Sequence, residues 1–578
     1  MRRIAATVVL ATGVVAASGV PVHGQDADPA NVVLPESRTD QTTLPSAVDL
    51  KGGRPRVDPA TLTPAGTDLS DSVGDLAAPP TMSLPDQPEQ VRIKELRPLT
   101  LEEALQIAEV NSPTLKAVAK QEEQAKASLR SAISSWYPTV DLSANGLPEY
   151  FKSYTYRNPK FVTSSILQPD PSRETYGREW RVGANLRVSW DLINPARVPQ
   201  IAAARDNYER VRDAYRIALR DLRLQAATSY FRLQESDEGV RIGQDSVRAS
   251  LISLRDARAR YNAGVNTKLE VLEAETQLAR DRRLLTDRLT TQELNRRNLA
   301  RLMDLPQDVT PTAATPAKPL GLWESSLQES ITAAYQFREE LDQLILDVSI
   351  ANSQANASLA AVQPVLSFVN SSNTFRVEGQ SNRTSIGDID MGDYRWGVDN
   401  STALTATWRL FDGGRARAEY RRFKKAAEAS EQNFAATRDL IRFEVEESFV
   451  GLRAAIQSIE TTSSEVISSR ESLRLSQLRV QAGVSAQREV VDNQRDLTSA
   501  EIGYAQAIRQ YNTNLAELRR RTGLDALIAC PTNVLPSQKP EAAGIEMPIE
   551  PTPLKSACTA AAAKGQTGST SQPVQPPW

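Results

Sequence analysis

Carboxylates are the side chains of this sequence whose spacing suggests chemistry. Glu489 and Asp492 lie three residues apart in a stretch with helical periodicity, so both can point from one helix face. Several copies of such a face arranged as a ring would favour cations, as acidic rings do in channels. A solvated helix face explains the same residues without any ligand, and the residues alone leave both interpretations open.

An equivalent carboxylate occurs earlier in the chain. Glu270 follows Gly264 by six residues, as Glu489 follows Gly483 by six. Thr267 and Glu270 also match the pattern of a capping box, in which each side chain bonds the backbone of the other residue. Glu270 is therefore either a second carboxylate of the same kind or part of a helix start.

Other chemistry is disfavoured by what the sequence lacks. Its only histidine, His23, lies in a predicted signal segment, which excludes Ser-His-Asp catalysis, histidine-ligated zinc and haem with a proximal histidine. No phosphate-binding glycine loop, G-x-S-x-G motif or cysteine pair with metal spacing occurs. We therefore expect no enzymatic activity, no cofactor and no metal site. Cys530 and Cys558 could form a disulfide in an oxidising compartment or remain two free thiols.

The start of the chain predicts export. Arg2 and Arg3 precede an apolar run at residues 4–17 and small residues near position 24, the pattern of a secretory signal. The formal net charge of −3 disfavours nucleic-acid binding. No later stretch approaches the ~18 apolar residues of a transmembrane helix, so we expect any membrane entry to use a β-barrel.

The sequence contains an internal repeat. The stretch RYNAGVNTKLEVLEAETQLARDRR, from position 260, has a counterpart 219 residues later, RVQAGVSAQREVVDNQRDLTSAE. Repeat arrays have periods of ~20 to 50 residues, so this spacing indicates a duplicated half-protein. The predicted organisation is a signal peptide at 1–24, a Pro-rich disordered segment at 25–97, a first repeat at 98–305, a linker at 306–324, a second repeat at 325–524 and a Pro-rich disordered tail at 525–578.

Each half is predicted to open with a helix that leads into a strand. Capping boxes at Thr100 and Glu103, and at Ser326 and Glu329, begin amphipathic stretches of about 35 residues. Each stretch then stops at a proline that begins an extended segment. The two prolines are Pro138 and Pro364.

The clearest strands alternate strictly between apolar and polar residues, over a length that could cross a bilayer at a tilt. Four tryptophans on them are candidates for a membrane-interface belt, or are simply large strand residues: Trp180, Trp190, Trp396 and Trp408.

Each half is predicted to end in a long helical hairpin. Spacing of 3 and 4 residues indicates helices at 197–262 and 415–482, each some 66 residues or ~100 Å long. Gly264 and Gly483 can take the left-handed conformation that closes a helix. The returning helices could be capped by Asn266 and Thr267 in one half and Ser485 in the other.

With these features in order, the sequence resembles the TolC-like outer-membrane efflux protein family. The resemblance covers about residues 99–524 and is carried by LTLEEALQIAEVNSPTL and its weaker copy, the helix-to-strand prolines, WRLFDGGRARAEY and the two AGV turns. It implies a mainly α chain with a transmembrane β-barrel part, in which helical hairpins form a periplasmic α-barrel. Four strands per chain would complete a 12-stranded barrel in a homotrimer, located in the outer membrane.

The resemblance also implies partners and site residues. Partners would be a periplasmic adaptor (membrane fusion protein), an inner-membrane transporter and outer-membrane lipid, with export of drugs, metals, siderophores or proteins by efflux or type I secretion. The adaptor-docking tips would be Arg260, Gly264, Val265, Arg479, Gly483 and Val484. The periplasmic gate would comprise Glu489, Asp492, Glu270 and Arg488. The family's usual basic residue two past the second glycine is Ser485 here, which leaves Arg488 as the candidate that holds the gate closed.

Two alternatives stay open at the level of residues. Four strands cannot close a membrane barrel alone, and either two or three chains would supply enough, so only the resemblance selects three. A periplasmic coiled-coil adaptor or scaffold without a pore would also show long helices around a turn. It would not need paired amphipathic strands at matched positions in both halves.

Overall fold

The computed structural model describes residues 62–157, 173–265, 267–383, 392–524 and 527–528. The helices are α1 (Leu101–Asn111), α2 (Pro113–Ile133), α3 (Arg197–Asn262), α4 (Lys268–Leu302), α5 (Leu327–Phe337), α6 (Glu339–Ala360), α7 (Arg415–Gln481) and α8 (Gln487–Thr522). The strands are β1 (Glu95–Leu99), β2 (Thr139–Arg157), β3 (Arg173–Ile193), β4 (Val309–Ala313), β5 (Leu322–Trp323), β6 (Val365–Arg383), β7 (Gly392–Thr407) and β8 (Leu527–Ile528).

Two long hairpins form one layer of helices. Helix α3 has 66 residues and α7 has 67, so the predicted helices at 197–262 and 415–482 are confirmed. Near the strands, the side-by-side order is α2, α3, α6 and α7; toward the turns it is α4, α3, α8 and α7. The second half therefore packs against α3 along one side, and α7 lies at one edge of the layer.

The helices that open each half begin as predicted but are interrupted. Both capping boxes are present: Thr100 and Glu103 bond each other's backbone, as do Ser326 and Glu329. The prediction of one continuous helix of about 35 residues is wrong. In the first half, Pro113 disfavours helical backbone at the residue before it and starts a new helix, α2. The second half breaks at the corresponding point, between α5 and α6.

Four long strands form one antiparallel sheet in the order β2-β3-β6-β7. The predicted prolines precede β2 and β6 directly, and each half contributes one hairpin. The junction of the halves is the β3–β6 pair, and β2 and β7 are left at the two edges. Along β3, apolar residues alternate with polar ones as predicted.

Residues 62–99 correct the predicted disorder of the segment at 25–97. They wrap around α1, and Val73 and Leu76 are buried at 1% exposure. Asn111 of α1 anchors the wrap, because its amide donates to the Leu76 carbonyl (2.7 Å) and accepts from the Ala78 amide (3.1 Å). Strand β1 then pairs in parallel with β4. Two isolated apolar residues carry no periodic pattern, which is why the sequence did not predict this packing.

The tail predicted at 525–578 also departs from disorder at its start, where β8 pairs with β5. The predicted signal peptide and the two cysteines lie outside the described residues. A cavity of about 230 Å³ near this point is lined by residues from both ends of the described core, Leu62 and Leu524, together with Phe231 of α3.

A buried group of charges joins the two halves beside this cavity. We call it the waist network: Arg220 of α3, Arg338, Glu339 and Glu340 at the start of α6, and Arg520 of α8. Arg220 Nε lies 3.1 Å from Glu339 Oε2, and the two side chains are 8% and 2% exposed. Arg338 and Arg520 both bind Glu340, at 2.9 and 2.8 Å.

The waist network shifts the pKa values of its two glutamates in opposite directions. Burial raises the pKa of Glu339 above its ordinary value, even though Arg220 acts against it. Burial would also raise the pKa of Glu340, but the guanidinium groups of Arg338 and Arg520 outweigh it and lower that pKa to about 2.

Candidate functional site

The two hairpin turns have the backbone that the sequence predicted. Gly264 has φ of 75° and Gly483 has φ of 73°, both in the left-handed region. In each turn, the amide of the following valine returns to an arginine carbonyl at 2.9 Å: Val265 to Arg260, and Val484 to Arg479. This bond satisfies a carbonyl that the end of a helix leaves open.

The side chains at these turns are open to solvent. Val265 is 75% exposed and Val484 is 72% exposed. Within the described part of the chain, a Cβ added at Gly264 or Gly483 would meet no atom within 4 Å. The glycines are therefore required by backbone conformation and not by crowding.

Glu489 is held across the second turn. Its carboxylate accepts from Arg479 Nη1 at 2.9 Å and from the Ser485 hydroxyl. The side chain of Glu489 is 34% exposed. The family resemblance assigns Arg479 to docking and Glu489 to the gate. The contact between them therefore joins a predicted docking residue to a predicted gate residue.

Arg488 links the two hairpins. Its Nε lies 3.7 Å from Asp492 Oδ2 on its own helix, and its Nη1 lies 3.9 Å from Glu273 Oε1 on α4. The arginine is 73% exposed, so these are weak, solvated contacts. Glu270 lies one turn before Glu273 on α4.

Two of the three predicted caps of the returning helices, Thr267 and Ser485, are wrong. Thr267 precedes α4 as its N-cap, but its side chain makes no capping bond among the described residues, so the capping box with Glu270 is absent. In the second half the N-cap is Ala486, and the Ser485 hydroxyl donates to the Glu489 carboxylate. Asn266 lies outside the described residues.

A polar seam between the hairpins was missed by the sequence analysis. Gln487 is 6% exposed and donates from Nε2 to Ser253 Oγ at 2.7 Å. A cavity of about 280 Å³ lies beside this bond, lined by Gln277, Gln477 and Gln494 among others. The available signal was polar residues at core-facing helix positions, which indicates a face packed against another polar face.

The four tryptophans lie at two levels of the sheet. Trp180 and Trp190 are ten residues apart on β3, a distance of ~33 Å along the strand. At the tilt typical of strands in membrane barrels, this corresponds to ~25 Å along the membrane normal. Trp190 Nε1 donates to the Trp136 carbonyl at 2.9 Å. Trp408, just past the end of β7, makes the matching bond to the Val362 carbonyl at 3.0 Å. Trp396 lies toward the far end, at 69% exposure.

Comparison with known families decides the class of protein. The family model described as "Outer membrane efflux protein" matches residues 104–304 and 331–524, once in each half. The chain belongs to the outer membrane efflux protein family. The resemblance stated from the sequence is thereby confirmed, together with an outer-membrane location and periplasmic helices.

Solved structures share the fold of this efflux protein at low sequence identity. A membrane protein from Pseudomonas aeruginosa is 18% identical with a TM-score of 0.57, and the match covers 81% of this chain and 99% of that one. The outer membrane protein VceC from Vibrio cholerae is 15% identical (TM-score 0.55; 73% and 96% covered). The CmeC outer membrane channel from Campylobacter jejuni is 14% identical (TM-score 0.55; 78% and 94% covered). No curated protein sequence matches the efflux protein.

Two features of other classes of protein are absent from the described residues of the efflux protein. None of its helices in the described ranges is long and apolar enough to cross a membrane. Among the same residues, no group of three or more histidine, cysteine, aspartate or glutamate side chains could hold a metal ion.

Proposed function

We propose that this efflux protein is the passive outer-membrane duct of a tripartite efflux or type I secretion system, and that it works as a homotrimer. The observation that carries the proposal is that sheet and helical layer end at matching edges. Strand β2 follows α2 at one edge, and β7 leads into α7 at the other. Pairing β7 of one copy with β2 of the next would satisfy both strand edges and bring the helix edges together.

Exposed apolar side chains support the same association of helices. The edge helix α7 exposes seven large apolar residues by 48–63%: Leu440, Phe443, Val450, Ile456, Ile467, Leu475 and Leu478. At the opposite edge α4 exposes Leu269, Leu272 and Leu294 by 49–64%. Apolar stripes of this kind are typical of surfaces that another chain covers. Four strands in each of three copies would give the 12-stranded barrel of the family.

The energy for transport has to come from partners, because the sequence carries no nucleotide-binding motif. The exposed turns at Gly264 and Gly483, with their neighbouring arginines and valines, are proposed as the docking surface of a periplasmic adaptor. The adaptor in turn would join the duct to an inner-membrane transporter.

The second turn is proposed as the gate. Three copies of Glu489 and Asp492 would form two carboxylate rings, which favour cations. The contacts of Glu489 with Arg479 and of Arg488 with Glu273 would hold the closed state. Opening would exchange these contacts for water, which is inexpensive for ion pairs this exposed.

The proposal is tested by purifying the protein from the outer membrane and measuring its mass and its conductance in planar bilayers. We expect a trimer with small, cation-selective openings that multivalent cations block. The variant Glu489→Gln with Asp492→Asn should lose that selectivity and block. A helical monomer that is soluble without detergent would instead identify a periplasmic scaffold.

A further inference from the structure

Two cations face each other across the sheet near its far end. Lys152 on β2 and Arg178 on β3 are register partners, and directly paired residues of antiparallel strands point from the same face. Both side chains are exposed. Neither forms an ion pair or side-chain hydrogen bond with any residue that the structure describes. Like charges directly opposite each other destabilise a sheet, so this pair is suited to an anion.

The position of the pair along the strand points to the membrane surface. Arg178 lies two residues, or ~7 Å, beyond Trp180, on the side away from Trp190 and the helices. All three residues share one face of β3 because their numbers have the same parity. If the tryptophans mark the two membrane interfaces, Lys152 and Arg178 lie at the level of the outer headgroups.

Among the side chains that the structure describes, the surroundings of the pair are aromatic and otherwise neutral in charge. Tyr150 and Trp180 are register partners next to it, with ring centroids 5.0 Å apart. The nearest further cation on this face is Arg376, which binds Glu378 at 3.2 Å and lies over the Tyr394 ring. Its charge is balanced, so among the described side chains on this part of the sheet the unbalanced charge is that of the Lys152–Arg178 pair.

We propose that Lys152 and Arg178 bind the phosphate group of a phosphorylated lipid in the outer leaflet. The planar fork of arginine fits two phosphate oxygens, and the lysine ammonium supplies a point charge beside it. The neighbouring rings of Tyr150 and Trp180 offer an apolar surface to the rest of the lipid, which a free phosphate ion would not use. The inference rests on the proposed barrel, since it requires the tryptophan-bearing face to meet lipid.

The test is native mass spectrometry of the detergent-purified trimer, titrated with bis-phosphorylated lipid A, dephosphorylated lipid A and inorganic phosphate. We expect the wild-type protein to bind phosphorylated lipid A at least tenfold more tightly than the dephosphorylated form. The double variant Lys152→Gln with Arg178→Gln should lose this tenfold preference. The matched control is Arg187→Gln, on the opposite face of β3, which should keep it.

Several outcomes would overturn the inference. These are equal binding of the two lipid A forms by the wild-type protein, an unchanged preference in the double variant, or an equal loss in Arg187→Gln. Binding of inorganic phosphate as tight as that of the lipid would show a site for free anions instead. Conductance and mass measured on the same samples separate the two proposals: an intact trimeric channel without lipid preference contradicts only the lipid site.

Discussion

The waist and the tips of the helical layer both join helices with charged side chains, but in opposite surroundings. At the waist, Arg220 and Glu339 are almost fully buried. At the second tip, Arg479 and Glu489 are 58% and 34% exposed. A buried pair leaves an uncompensated charge when one partner is lost, whereas an exposed pair exchanges its partner for water. The difference suits a fixed waist and tips that can move.

The largest expected effect is at the waist. Glu339→Ala would leave Arg220 buried without its partner and should lower the free energy of unfolding by about 3 to 5 kcal/mol. Thermal unfolding of the purified trimer measures this. The matched control is Glu447→Ala, whose pair with Arg521 is more exposed and should change stability by about 1 kcal/mol or less. Equal effects would show that burial does not separate the two kinds of pair.

The next effect is the loss in acid of the stability that Glu340 contributes at the waist. The pKa of Glu340 is about 2 in the folded protein, below its ordinary 4.5, so its contribution is present above pH 4.5 and is lost as pH falls toward 2. A shift of this size corresponds to on the order of 3 kcal/mol. Thermal unfolding measured between pH 6 and pH 3 should show the decline. Glu340→Gln, which cannot titrate, should be less stable at pH 6 and flatter across this window; an unchanged slope would contradict the assignment.

The turns should be sensitive to backbone and not to volume. Proline fixes φ near −65°, so Gly483→Pro cannot supply the observed φ of 73° and should abolish export while leaving the trimer intact. Gly264→Pro should do the same. Gly503→Ala is the control, because its helical position leaves room for a Cβ. Export retained by both proline variants would remove the tips from the mechanism.

The smallest expected effect compares the two tips with each other. Glu489→Gln weakens an exposed contact with Arg479, so the closed state should lose about 1 kcal/mol or less per copy, and each copy should change the ratio of closed to open channels by up to about fivefold. Single-channel recordings should show more frequent opening. Glu270→Gln is the counterpart on the first tip and should change opening less, because the gate is proposed at the second tip, where Glu489 contacts Arg479. The reverse order would place the gate in the first half.

The features that the sequence predicted well are local. The two long helices, α3 and α7, each end just before a glycine whose φ is positive, and strands β2 and β6 each begin directly after a proline. Single residues therefore determine these boundaries. Ser112 and Pro113 carried a local signal as well, and the break between α1 and α2 could have been predicted from it.

The features that it missed depend on partners far away in the chain. Arg220 and Glu339 are 119 residues apart, and Gln487 and Ser253 are 234 apart. No spacing rule connects such residues, so the individual partners in the waist network and in the polar seam could not be derived. The packing of Leu76 against α1 was not predicted for a related reason, since one apolar residue in a polar segment forms no periodic pattern.

The cavity at the waist has a consequence for engineering the chain. Because Leu62 and Leu524 line the same cavity, the two ends of the described core meet at one place in the fold. Ends that are close together favour circular permutation. A short linker at the waist could therefore join them, and new ends could be opened at the Gly264 turn, where solvent surrounds the backbone. Such a permuted chain would carry a fluorophore or a cross-linker at the proposed docking surface and leave every helix uncut.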